Sequence, residues 1–383
     1  MTTPTTSAWL PVYSQFPLRA VSGKGSWIVD DAGNRWLDAY GGHAVASTGH
    51  SHPDVVRAIA EQAGRLIFYS TAIPHAARED LAELIASLCP GALGKVFFCN
   101  SGAEANENAI GLARKVTGRT DIVSVAGGWH GRTAATLAVT DGAKYEEIAR
   151  RSGIPLSTKV PFNDVAAISG AVDDRVAAVI VEPVQGMGGA RDCSPDFLRA
   201  ARLACDREGA VLIFDEVQCG VGRCGAFTAA EAYDVTPDII TMAKGLAAGI
   251  PIGAMVATSA ITADLKPGDL GSTFGGAPVP CAAASANIGV IQRERLIENA
   301  VMVGDHIRRA AQRIPAVRDV TGRGLLLGLW LDRPAAPVQR ALFDERILTG
   351  TASDPSVLRL MPPLSFSRSE ATLLVDALRR VLT

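Results

Sequence analysis

The sequence has no C-x-x-C pair, no basic block longer than two residues, and no apolar N-terminal core flanked by basic residues. Each absence removes a class of function. The seven cysteines (Cys89, Cys99, Cys193, Cys205, Cys219, Cys224 and Cys281) are odd in number and lack metal-ligand spacing. Neither a disulfide framework nor a zinc site is therefore predicted, and no metal is expected. Unpaired thiols point to the cytoplasm. With 37 Lys and Arg against 39 Asp and Glu, the net charge is −2. Nothing in that balance attracts nucleic acid or an anionic membrane, so neither is expected as a partner. Residues 1–17 carry no signal-peptide pattern. Two uncharged stretches, 245–263 and 270–292, exceed the ~18 residues of a candidate membrane span. Both contain Pro and several Gly, and they read as loop, buried strand and helix start.

What remains is an ordinary globular composition, 48% hydrophobic and 20% charged over 383 residues. That length holds two or three domains of about 150 residues. The opening is β-rich, with strand-like runs at 25–30 and 35–38 around an Asp31-Ala32-Gly33-Asn34 turn. A helix is predicted after His52-Pro53, with Val55, Val56, Ile59 and Ala63 on its apolar face. Another is predicted over 78–88, with Leu81, Leu84, Ile85 and Leu88 inward.

Strands then alternate with helices. Near-continuous apolar runs at 95–99, 121–125, 176–181, 211–214, 239–242 and 252–257 are separated by helical patterns such as 103–116 and 195–207. This predicts an α/β fold, a mostly parallel central sheet covered by helices on both faces. After about residue 265 the pattern changes to one long helix near 282–312, short strands at 317–320 and 324–331, and a last helix near 368–382. The expected division is a large domain over 50–264 and a smaller α+β domain formed by 1–49 and 265–383.

Two strands end in charge. Val211-Leu212-Ile213-Phe214 runs into Asp215, and Ile239-Ile240-Thr241-Met242-Ala243 runs into Lys244. Parallel sheets place ligands at the carboxyl ends of their strands. A buried charge there is costly unless it is used. A lysine and an aspartate so placed are the pair that pyridoxal 5'-phosphate requires. The lysine amine holds the aldehyde covalently and later acts as base, while the aspartate keeps the pyridine nitrogen protonated. Asn100-Ser101-Gly102-Ala103-Glu104 follows a strand and opens a helix, so Ser101 is either an N-cap or part of an anion site. Gly127-Gly128-Trp129-His130-Gly131-Arg132 follows another strand. Trp129 can stack on a flat ring, and Arg132 can fork a carboxylate. Gln218 can bond the ring's phenolic oxygen.

These motifs, in this order, resemble the class III (subgroup II) pyridoxal-phosphate aminotransferases, in the acetylornithine/ornithine aminotransferase branch. The likeness runs from about residue 25 to 364. It includes Gly49-His50-Ser51-His52-Pro53, Asn100-Ser101-Gly102-Ala103-Glu104-Ala105-Asn106-Glu107, Val181-Glu182-Pro183-Val184-Gln185-Gly186, Phe214-Asp215-Glu216-Val217-Gln218, Ala243-Lys244-Gly245 and Gly271-Ser272-Thr273-Phe274-Gly275-Gly276. The resemblance implies the fold-type I architecture and a homodimer with shared active sites. It implies that Gly102 and Ala103 bind phosphate, and that Thr273 reaches the phosphate bound by the other subunit. Ser272 matches a substrate-side contact. Glu182 and Arg359 match a switch pair, in which the glutamate masks the arginine during one half-reaction and frees it for a carboxylate in the other.

The family usually has Gly-Glu-Gly-Gly where this chain has Gly186-Met187-Gly188-Gly189, an Ile at His43, an Asn at Ala46 and a smaller aromatic at Trp129. The implied reaction is ping-pong transfer of the terminal amine of an acetylornithine-like donor to a 2-oxo acid, 2-oxoglutarate. Ornithine, acetyl-lysine-type, carrier-linked lysine and 4-aminobutyrate donors stay open, as does an aminomutase.

Overall fold

The structure is a computed structural model that describes residues 8–383. Residues 1–7 of the expected smaller domain lie outside the described residues. At the centre is a seven-stranded sheet in the order Leu93–Cys99, Gly253–Thr258, Ile239–Met242, Val211–Asp215, Val176–Val181, Asp121–Val125, Thr158–Val160. Gly253–Thr258 is antiparallel to both its neighbours, and every other pairing is parallel.

Strand periodicity divides the side chains between two cores. Val179, Val181, Leu212 and Phe214 pack with Phe197, Leu198 and Ala201 of the Pro195–Glu208 helix. Ala178, Ile180, Val211 and Ile213 face the other way, onto Ala109, Ile110 and Ala113 of the Gly102–Thr117 helix. Both faces are covered, which is why these strands read as unbroken apolar runs. A fully buried Phe or Leu in such a core stabilises the fold by roughly 1.5–3 kcal/mol.

The six strands predicted for this sheet have boundaries within two residues of those observed, and the sheet contains one strand the pattern did not show. Thr158–Val160 is short, lies at the edge and has only one buried residue. The long helix expected near 282–312 is instead two helices, Pro278–Arg293 and Leu296–Ala311, broken at Arg295 in the left-handed region (φ 53°). The two serve different partners. The first packs on the Pro53–Arg65 and Ala76–Leu88 helices and on the Lys244–Ala247 turn, and the second packs on the C-terminal Arg368–Leu382 helix. One straight rod could not cover both. In Pro53–Arg65, Val55 is buried but Val56 is 50% exposed, so the apolar face is narrower than predicted.

Two four-stranded sheets flank this centre. One joins Val317–Arg323, Leu326–Leu331, Val357–Leu360 and Gly350–Thr351. The other aligns Ala20–Lys24, Trp27–Asp30 and Arg35–Asp38 with Ile347–Leu348, bringing both chain ends into one sheet. No helix among the described residues is long and apolar enough to cross a membrane.

Candidate active site

The carboxyl ends of the parallel strands open into a cavity of about 450 Å³. Its floor is built from the two strand-end charges. Asp215 is buried, and its carboxylate is almost fully engaged. Oδ2 accepts from Asn106 Nδ2 at 2.7 Å and pairs with His130 Nδ1 at 2.8 Å, while Oδ1 accepts from the Val217 N–H at 3.0 Å. Asn106 is fixed in turn, donating to the His130 carbonyl and accepting from the Thr241 hydroxyl at 2.6 Å. Oδ1 keeps room for one more donor.

Lys244 stands opposite in kind. Its amine has no hydrogen-bond or ion-pair partner among the described residues, although it lines the same cavity. Burial pushes it below its usual pKa, and Arg359 adds in the same direction; Asp215 and Glu182 oppose them. The backbone there is strained, with φ 36° at a non-glycine residue. The surrounding side chains hold it. Ser47 Oγ and Asn287 Nδ2 both donate to the Gly245 carbonyl at 2.8 Å, and Asn287 also reaches the Leu246 carbonyl at 3.0 Å.

One wall is the start of the Gly102–Thr117 helix. Ser101 is its N-cap, with Oγ accepting from the Glu104 N–H at 3.2 Å. The Ala105 N–H bonds the Ser101 carbonyl, which leaves the N–H groups of Gly102 and Ala103 as the free donors of the first turn. Gly102 has no room for a side chain, because a Cβ would lie 2.6 Å from Val217 Cγ1. The loop after Asp215 is thereby pressed against the helix start. Gly186 is equally constrained, since a Cβ there would meet Gln218 Oε1 at 1.7 Å.

Glu182 and Arg359 are both buried, but no ion pair joins them among the described residues. The masking contact implied by the resemblance is not formed in this structure. Glu182 is already occupied, accepting from the Trp129 N–H at 2.7 Å and the Gly186 N–H at 3.1 Å. Its carboxyl is pushed up to about 7 by burial and by Asp215, with His130 and the two N–H groups pulling the other way. Arg359, 1% exposed, donates from Nε to the Thr351 carbonyl at 2.6 Å and from Nη1 to Gln218 Oε1 at 3.4 Å. Gln218 Nε2 in turn donates to the His43 carbonyl at 3.3 Å. The amide thus stands where a glutamate was expected.

Of the residues singled out from sequence, Ser101, Gly102, Ala103, Trp129, Arg132, Glu182, Asp215, Gln218 and Lys244 line this one cavity. Arg359 reaches it through Gln218. Ser272 touches its rim, with Oγ accepting from Asn100 Nδ2 at 3.3 Å and from the Gly275 N–H at 3.1 Å. Thr273 is exposed on the loop beside it. His43 is exposed, with Nδ1 2.6 Å from the Tyr40 hydroxyl. Cys219 and Cys224 are buried filler with thiols held well above their usual pKa by burial. Sequence reasoning gave no role to Asn106, His130 or Tyr145. The first two lay inside quoted motifs, but only the fold shows that they converge on one carboxylate.

The residues present fit pyridoxal phosphate. There is an unpaired amine, a carboxylate with spare acceptor capacity held by two side-chain donors, and a helix start with free N–H groups in one cavity. Asp215 would take the ring nitrogen, Gly102 and Ala103 the phosphate, and Lys244 the aldehyde. No group of His, Cys, Asp and Glu among the described residues is arranged to hold a metal.

A family model described as aminotransferase class-III matches residues 11–382. Among curated relatives, the acetylornithine aminotransferase of Methanopyrus kandleri is 43% identical over 373 residues, covering 96% of each chain. Acetylornithine aminotransferase 1 of Bordetella bronchiseptica is 41% identical, covering 97% of this chain and 96% of its own. Among solved structures, the ornithine aminotransferase of Toxoplasma gondii ME49 superposes with a TM-score of 0.91 at 30% identity, covering 97% of this chain and 92% of that one.

Proposed function

This chain belongs to the class-III aminotransferase family, and from that premise we propose that its donor is an acetylornithine-like basic amino acid with an acylated alpha nitrogen and that its acceptor is 2-oxoglutarate. It is a pyridoxal-phosphate-dependent aminotransferase. The observation that carries the chemistry is the unpaired Lys244 amine sharing a cavity with an Asp215 carboxylate braced by Asn106 and His130. When bound, the cofactor supplies an aldehyde that condenses with amines and a ring that takes up the electron pair left at carbon. Lys244, with its pKa lowered, would hold the aldehyde and, once freed, serve as the base that takes the proton from the donor carbon bearing the amine. Asp215 would pair with the ring nitrogen and keep it charged, its carboxylate held in place by Asn106 and His130. Arg132, exposed at the mouth, takes the donor's carboxylate. Arg359, deeper and tied to Gln218, takes a carboxylate of the oxo acid once it is released.

Similarity to acetylornithine aminotransferases favours acetylornithine. The likeness to an ornithine aminotransferase favours free ornithine as the second candidate. A donor panel against 2-oxoglutarate, scored by kcat/KM, decides between them. Acetylornithine is expected to lead. A higher value for ornithine or 4-aminobutyrate refutes the donor, and failure of glutamate to convert the bound cofactor to its amine form refutes the acceptor.

We also assign the chain to a homodimer in the cytoplasm. Segment 66–73 exposes Ile67 (68%), Phe68, Tyr69 and Ile73, and Phe68 meets the exposed Phe274 (60%) at 5.2 Å between rings. That apolar surface adjoins Thr273 and suits a second copy. All seven cysteines are unpaired, as in a reducing compartment. Sedimentation of a single species at twice the chain mass checks the dimer.

A further inference from the structure

We propose that Tyr145 is a positioning residue for Arg132, and that the Trp129–Tyr145 ring pair is what aims that guanidinium at the donor carboxylate. This rests on the reading that Arg132 binds that carboxylate.

Arg132 is exposed, and none of its donors has a hydrogen bond or ion pair among the described residues. An arginine so free would spread over many rotamers and lose that freedom on binding. Two aromatic faces restrict it instead. Its Cζ lies 5.3 Å from the Trp129 ring centroid and 5.9 Å from that of Tyr145. The rings themselves meet edge to face, 4.9 Å apart at 88°. They hold the cation without consuming a single N–H, so all five donors stay available for a carboxylate.

Tyr145 is itself anchored. It lies in the first turn of the Ala143–Arg151 helix and packs on Leu137, Ala138 and Ala149. Asp141, just before that helix, ties it to the loop that carries Trp129. Its Oδ2 accepts from the Gly127 N–H at 2.7 Å, and its own N–H donates to the Gly128 carbonyl at 2.9 Å. The two rings and the guanidinium are therefore referred to one frame.

The test uses the holoenzyme and N-acetylnorvaline, which keeps the acyl group and carboxylate but lacks the reacting amine. Its Kd is measured by calorimetry for the parent, Tyr145→Leu, Tyr145→Phe, Arg132→Ala and the Tyr145→Leu/Arg132→Ala double variant. Cofactor absorbance verifies each fold. Tyr145→Leu is expected to weaken binding about two- to fivefold, the worth of one cation–π contact at an exposed site. Tyr145→Phe, which keeps the ring, should bind within about twofold of the parent. With Arg132 already removed, losing the ring should cost nothing more. For acetylornithine, Tyr145→Leu should raise KM and spare kcat. For pentylamine, which has no carboxylate, it should change neither.

Parent-like binding by Tyr145→Leu, additive losses in the double variant, a Phe variant as weak as Leu, or an equal loss for pentylamine overturns the inference. If Arg132→Ala alone leaves N-acetylnorvaline binding unchanged, it is the carboxylate reading of Arg132 that fails.

Discussion

The floor and the mouth of the cavity hold their charges by different means. On the floor, Asp215 is buried and bonded by Asn106, His130 and the Val217 backbone, and the Lys244 turn is pinned by Ser47 and Asn287. At the mouth, Arg132 has only aromatic faces beside it, and Thr273 and Phe274 are exposed. Rigid, desolvated groups suit chemistry that every substrate of the family shares, because preorganised charge costs no rearrangement during reaction. Loosely held groups suit selection, because changing them leaves the floor standing. The floor thus sets the reaction, and the mouth sets which amine enters it.

Removing the amine of the floor should have the largest effect. Lys244→Ala is expected to lower kcat by at least about 10⁴-fold, because it deletes both the covalent holder and the proton carrier. Acetylornithine turnover against 2-oxoglutarate measures it; a residual rate within about tenfold of the parent contradicts the assignment. Asp215→Asn should come next. The amide keeps the shape but cannot hold a ring nitrogen protonated, so kcat should fall roughly a hundredfold or more. It should do so with donor KM nearly unchanged, as read from single-turnover bleaching of the cofactor. A change confined to KM would place Asp215 with the mouth residues and erase the distinction.

The floor was also the part most legible from sequence. Asp215 and Lys244 end apolar strands, and the fold class follows from the alternation of those strands with helices. What did not show was tertiary. Asn106 and His130 lie 109 and 85 positions from the Asp215 they brace, and no local pattern couples them. Tyr145 is 13 positions after Arg132, on a helix whose apolar face also explains an aromatic. The break at Arg295 was hidden because the two helices abut with no Gly or Pro between them. The missing Glu182–Arg359 contact was equally invisible, since it depends on which backbone N–H groups reach Glu182 first.

Glu182 joins the two regions and should give the smallest of these effects. It bonds the Trp129 N–H of the mouth, and its carboxyl is raised to about 7 by burial and by Asp215 of the floor. Between its ordinary value near 4.5 and about 7 the folded chain therefore binds more protons than the unfolded one. Stability from this group is fully present below that window and is lost as pH rises through it. The loss is on the order of 3 kcal/mol, since the rise from 4.5 to about 7 spans about 2.5 units at about 1.4 kcal/mol each. Urea unfolding of the cofactor-free protein from pH 5 to pH 8 reads it directly. The parent should lose stability relative to Glu182→Gln across that range, because the amide cannot ionise. Parallel curves would mean that Glu182 stays ionised throughout, held by the Trp129 and Gly186 N–H groups. The mouth loop would then be fixed to the floor at every pH, with no proton linking them.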